Sequence, residues 1–531
     1  MNGPFDYIVV GAGSAGCLLA NRLSADPRVR VLLLEAGGRG RNPLIRVPMV
    51  AGLLYFMPSL NWGYETVPQG GLDGRSLVWP RGRVLGGSSA INGMMYIRGT
   101  PADYDQWRQS GLAGWGYEDV LPFFRSFERN VSHADRHFHG HEGELWTERA
   151  RGENPIYGAW LDSARAAGAD LNPDFNGARQ EGVGYYDFNI RDGRRVTAAT
   201  AFLDPIRGRQ NLSVITDLQV AKLTFHQRQC TGLLLLDGRE LTVKREVILC
   251  AGTVNSPQLL ELSGIGDGER LQKLGIPVVA HSPEVGRNLQ DHLGIYVQHT
   301  CTQPVTLYGL MRPDRAIWAG LRDLAAGKGP ASSVPLEAGG FLKTRRDLDE
   351  PDVHITAVPG LSLATTRLGQ MRHGFLTNLY QLRPHSRGTT YIVSPDAGAK
   401  PRIDPCYLND PLDVQCLREG TRLIRSIVGQ APLDPLRGEE IAPGAGVSDD
   451  DDDAIDAWVR SSANTIFHPV GTCRMGADER AVVDGALRVR GVESLRVVDA
   501  SIMPTITSGN TAAPTMMIAE KAASMIRAHD K

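Results

Sequence analysis

The stretch FDYIVVGAGSAGCLLANRLSADPRVRVLLLEAGG, residues 5–38, constrains the fold more than any other part of the chain. YIVV is a short apolar strand, GAGSAG a turn, CLLANRLSA a segment with helical spacing, and VRVLLLEAG a second buried strand. Gly11 permits the tight turn, Gly13 lets the backbone approach a pyrophosphate, and Gly16 allows close helix–strand packing. A helix starting near Ser14 aims its N-terminal amides at the phosphates. Glu35 ends the second strand 19 residues after Gly16, where a carboxylate accepts hydrogen bonds from a ribose diol and disfavours a 2′-phosphate. With strand, helix and acid all in place, this is a dinucleotide site. The fingerprint does not choose between NAD and FAD.

The rest of the chain narrows the class. Its 531 residues exceed what one core holds, so two or more domains are expected. A formal charge of −2 offers no basic field for nucleic acid. Seven scattered cysteines without a C-x-x-C argue against a disulfide framework or zinc ribbon and suit a reducing, cytoplasmic setting. No signal peptide precedes the first strand at Phe5. The apolar run MVAGLLYFM, 49–57, falls short of the ~20 residues of a membrane span but leaves peripheral membrane contact open. The acidic run Asp449–Asp453 precedes AIDAWVRSSA and reads as a helix N-terminus. No G-x-S-x-G pentapeptide supports a serine hydrolase.

A loop follows that brings backbone close to a flat ligand. GRVLGGSSAINGMMYIRG, 82–99, packs five glycines among small and apolar residues. AGTVNSPQLLELSGIG (251–266), EVGRNLQDH (284–292), FHPVGTCRMG (467–476) and VVDASIMPTITSGNTAAPTMMIAEKAA (497–523) complete the set. By these segments, in this order, the chain resembles the glucose–methanol–choline (GMC) oxidoreductases, flavoenzymes that oxidise alcohols.

The resemblance implies FAD and an α/β fold: a Rossmann-like FAD-binding domain interleaved with an α+β substrate domain on an antiparallel sheet. The first takes 1–155, 205–300 and 462–531; the second takes 156–204 and 301–461. Ser14, Ala15, Glu35 and Ala36 are expected to hold adenosine and pyrophosphate, and Val220 the adenine. Val84, Asn92, Gly93, Met94 and Met95 are expected along the isoalloxazine, with Asp499, Ala500 and Thr511 returning to the cofactor. Some members attach FAD to a histidine at the position of Ile91, so non-covalent FAD is expected here.

The resemblance makes His468 the catalytic base. A neutral imidazole suits the removal of a hydroxyl proton, with activity rising through a single step near the histidine pKa of about 6.5. Asn510 matches the second catalytic position; its amide donates a hydrogen bond without titrating. Glu337 aligns with a glutamate of choline- and aliphatic-alcohol-oxidising relatives and reads equally as a substrate contact or a buried structural carboxylate. HFHGHEG, 137–143, carries alternating histidines but reads as a loop without metal. Cys473 reads as a packed residue. The expected substrate is an uncharged, fairly hydrophobic primary alcohol, with Leu336 and the 49–57 run leaning that way and choline the alternative. The electron acceptor is quinone-like or oxygen.

Overall fold

The computed structural model describes residues 4–310, 329–362 and 372–529. Its first layer grows from the fingerprint. β1 (Phe5–Val10), α1 (Ser14–Leu23) and β2 (Val31–Leu34) form the opening βαβ unit, and every residue of both strands is buried. Continuous apolar strands of this kind need cover on both faces, as parallel sheets have. The parallel order is 212–215, β2, β1, 243–249 and 495–497. Strand Glu240–Leu249 also pairs antiparallel with Gln229–Leu235, about a turn at Asp237-Gly238. Helix Ala512–His529 packs on α1, so the end of the chain closes the domain that its start opened.

The second layer is wholly antiparallel, in the order 437–442, 293–301, 374–381, 353–358, 338–342 and 182–185. The period of two along Gly374–Gln381 assigns its faces. Phe375 and Leu379 join the core under helices Pro155–Ala166, Pro411–Val428 and Asp452–Ser462, while Leu376 and Asn378 face a cleft. Asp451 caps the last of these helices by accepting from the amide of Ala454, the role expected of the acidic run.

Three stretches differ from the sequence expectation, the first being 198–203, whose Ala198, Ala199, Ala201, Phe202 and Leu203 join the first core and not the second. Strand Leu293–Cys301 belongs to the second sheet rather than the FAD domain, because its alternate apolar residues Leu293, Ile295 and Val297 fill the second core. Tyr64, Leu72 and Trp79, inside the opening segment, join that core as well. The β-prone run at 388–396 supplies only a small hairpin of 389–391 with 402–404, outside the large sheet. Among the described residues, no helix is long and apolar enough to cross a membrane.

Candidate active site

A cleft of about 490 Å³ runs between the two sheets, from the fingerprint to His468. Gly11, Gly13, Ser14, Ala15, Glu35, Ala36 and Val220 line it, as do Asn92, Gly93, Met94, Met95, Asp499, Ala500, Asn510 and Thr511. Gly11 and Gly16 are glycines because nothing larger fits. Gly11 has φ +100°, and a Cβ on Gly16 would lie 1.9 Å from the Gly11 carbonyl oxygen. Gly16 therefore contributes packing and does not itself line the cleft. Glu35 accepts from the amides of Ala12 (3.0 Å) and Gly37 (2.8 Å), and burial pushes its carboxyl up to about 7. Asp499 accepts from the amides of Gly252 and Ser501, both at 2.8 Å, and from the Ser256 hydroxyl. It thereby ties the start of the 500–502 turn to helix Gly252–Leu262.

The other end is built on the loop carrying His468. Phe467 is left-handed (φ +67°), which turns the chain at the edge of the second sheet. Asp291 holds the turn, accepting from the His468 amide at 2.7 Å and from the hydroxyls of Thr465 and Tyr407, each at 2.5 Å. Arg81 donates to the Phe467 carbonyl. Burial pushes the Asp291 carboxyl up to about 6.

The protonation of His468 follows from its neighbours. His292 Nε2 lies 3.1 Å from the carbonyl oxygen of Leu382, which can only accept, so Nε2 carries the proton. Burial drives the His292 pKa down to about 3 and keeps that ring neutral, leaving Nδ1 as an acceptor. His468 Nδ1 lies 3.0 Å from it and must donate. The His468 Nε2 lone pair is thus free to accept, and it faces the Asn510 amide nitrogen at 3.0 Å. Burial, then His292, Arg81 and His354, hold the His468 pKa well below the usual 6.5. The result is a neutral imidazole of fixed tautomer, with its basic nitrogen at the cleft.

Asp291 and His292 lie within EVGRNLQDH, where no role is legible for them from sequence. His292 is 176 residues from His468, so no local spacing could announce the pair. Arg195 is a second such case: it donates to the carbonyl and side-chain oxygens of Asn92 and pins the glycine-rich loop from outside the cleft.

Three residues lie elsewhere. Val84 is buried with Ile45, Leu54, Leu60 and Ala90 and does not line the cleft, whereas Ile91 of the same cluster does. Glu337 accepts from the Ser333 hydroxyl and, at 2.7 Å, from the Gly152 amide, outside the cleft lining. His139 lies beside His133 and Asp174 rather than the other histidines of its stretch. Burial opposes its charging, but hydrogen bonds to Asp174 (2.8 Å) and Glu128 (3.3 Å) outweigh this and raise its pKa to about 9. Cys473 is fully buried, which raises its thiol pKa well above the usual value.

Two family models, both described as GMC oxidoreductase, match residues 5–294 and 384–519. The chain belongs to the GMC oxidoreductase family. It is 43% identical to a mitochondrial choline dehydrogenase of Mus musculus, covering 99% of this chain and 90% of that one. It is 42% identical to an alcohol dehydrogenase [acceptor] of Pseudomonas putida, over 98% and 95%. Among solved structures, pyridoxine 4-oxidase from Mesorbium loti superposes with a TM-score of 0.90 at 33% identity, covering 99% of each chain. The cofactor of this GMC oxidoreductase is FAD. The cleft suits it: a glycine-lined passage at the nucleotide end, a small-residue loop beyond, and a buried Asn510 Oδ1 without a protein partner.

Proposed function

We propose that the alcohol oxidised by this FAD-dependent oxidoreductase is uncharged, primary and fairly apolar, and that it leaves as the aldehyde. The observation that carries this is the lining of the cleft around His468. Tyr296, Leu336, Val358, Leu361, Leu376 and Ile466 supply apolar surface there, beside the polar Asn378, Ser362, Thr465, Asn510 and Arg81. Among the described residues the only carboxylates lining the cleft are Glu35 and Asp499, both in the nucleotide-binding part, while the guanidinium of Arg81 lines it as well. Among the described residues around His468, a quaternary ammonium finds no carboxylate to serve as its counter-charge.

Proton removal falls to His468 Nε2, which accepts the substrate hydroxyl proton. Asn510 donates its amide hydrogen to the developing alkoxide and holds the carbinol in place. The charge arriving on the imidazole is shared through the Nδ1–H bond to His292. FAD, when bound, supplies the hydride acceptor for the carbinol hydrogen. Ser14, Ala15, Glu35, Ala36 and Val220 would hold its adenosine diphosphate part, and Asn92 to Met95 with Thr511 its ring. Seven free cysteines support a reducing, cytoplasmic setting.

Anaerobic mixing with a panel of alcohols, choline included, tests the reading by bleaching of the flavin. Medium-chain primary alcohols are expected to bleach it faster than choline; the reverse order would assign the quaternary substrate. Repeating the panel in air and with a quinone distinguishes the acceptor, for which we favour a quinone.

A further inference from the structure

A second cavity, of about 1140 Å³, shares no lining residue with the cleft. It lies between residues 39–46, the segment 191–207 and strand Leu212–Ile215. Eight arginines and three carboxylates line it, in a chain of formal charge −2. The carboxylates are already taken: Glu144 by Arg22 at 2.6 Å, Asp204 by Arg207 at 2.8 Å, and Asp192 by Arg191 at 3.5 Å. Arg39, Arg41, Arg46, Arg194 and Arg195 have no carboxylate partner among the described residues.

Arg195 sets this apart from an ordinary basic surface. It is 3% exposed, gives its Nε to the Ile45 carbonyl and one terminal nitrogen to Asn92, and its other terminal nitrogen has no partner. Burial lowers its pKa to about 10, so it stays charged at neutral pH without a counter-ion. Like charges gathered in a concavity focus a positive field. Planar guanidinium forks match phosphate oxygens in pairs, and the four of Arg39, Arg41, Arg46 and Arg194 exceed what one carboxylate could satisfy.

We infer that this cavity is a binding site for a phosphate-bearing, multiply charged anion. The ligand is either a soluble phosphorylated molecule or the headgroup of an anionic lipid. Leu44, within the short helix that supplies Ile45 and Arg46 to the wall and itself 37% exposed, makes the second source worth a separate arm.

The holoenzyme is tested by equilibrium dialysis with inorganic pyrophosphate, and by co-sedimentation with phosphatidylcholine vesicles with and without phosphatidylglycerol. Two triple variants accompany it. Arg41→Ser/Arg46→Ser/Arg194→Ser removes charge from the cavity; Arg28→Ser/Arg165→Ser/Arg179→Ser removes the same charge from positions that do not line it. Saturable binding, weakened at least about tenfold in the first triple and retained in the second, is the expected result. Alcohol turnover without added anion is expected to be unchanged in both. Binding to pyrophosphate identifies a soluble ligand, and binding only to phosphatidylglycerol vesicles identifies a headgroup. No saturable binding in either arm, or equal loss in the two triples, overturns the inference.

Discussion

At the scale of single residues, the catalytic reading comes down to which nitrogen of His468 holds a proton. On the proposed mechanism the neutral ring is the base, and it predominates above its pKa. Burial among His292, Arg81 and His354 places that pKa well below 6.5. The rise of kcat/KM with pH is therefore expected to have its midpoint below pH 6.5 and to be flat through neutrality, lower than the sequence alone implies. A midpoint at 7 or above would count against the structure. His468→Gln is expected to keep FAD and lose about 10²–10⁴-fold in turnover, the usual contribution of a positioned base.

On the same proposal His292 positions His468, a role that can be separated from mere packing. His292→Ala removes the acceptor for His468 Nδ1–H and frees the tautomer. Turnover is expected to fall about 10–100-fold, the range found for outer partners of functional histidines, with a changed pH profile and retained flavin. His292→Asn keeps an oxygen near the place of Nδ1 and is expected to recover much of that loss. Equal loss in both variants, with an unchanged profile, would assign His292 to packing alone.

At the scale of elements, the turn between β1 and α1 leaves no room for a side chain at Gly11 or Gly16. A Cβ at Gly16 would overlap the Gly11 carbonyl, itself fixed because a Cβ on Gly11 would lie 2.5 Å from the Cys250 carbonyl oxygen. Gly16→Ala is expected to displace the first turn of α1 and yield protein with little flavin, read as the ratio of visible to ultraviolet absorbance. This unit was legible because its signals are local: strand, glycines, helix and acid lie within 34 residues. The second sheet was half legible. Its strands at 353–358 and 374–381 show β-prone composition bounded by Pro and Gly. Leu293–Cys301 escaped because it follows directly on motif residues, and only pairing with 374–381 reveals its side. The partners of His468 escaped for the same reason, since Asp291 and His292 acquire meaning only through contacts across the fold.

At the scale of the molecule, the cleft depends on two sheets meeting, and the proposed cofactor-binding residues come from distant stretches of chain. The attachment position gives a direct check on how that cofactor is held. Ile91 is 2% exposed and packed among Ile45, Leu54 and Leu60, with no nucleophile to offer. Acid precipitation is accordingly expected to leave a colourless pellet and a yellow supernatant.

The strand Leu495–Val497 has a consequence for biosynthesis. It inserts beside Val247–Leu249 and finishes the parallel sheet, yet Leu495 is made 248 residues after its pairing partner Val247. Until then the nascent domain shows an unpaired β edge to its surroundings, open to annealing with a neighbouring chain. Premature termination anywhere upstream of this strand would therefore yield an aggregation-prone remnant rather than a smaller, working domain.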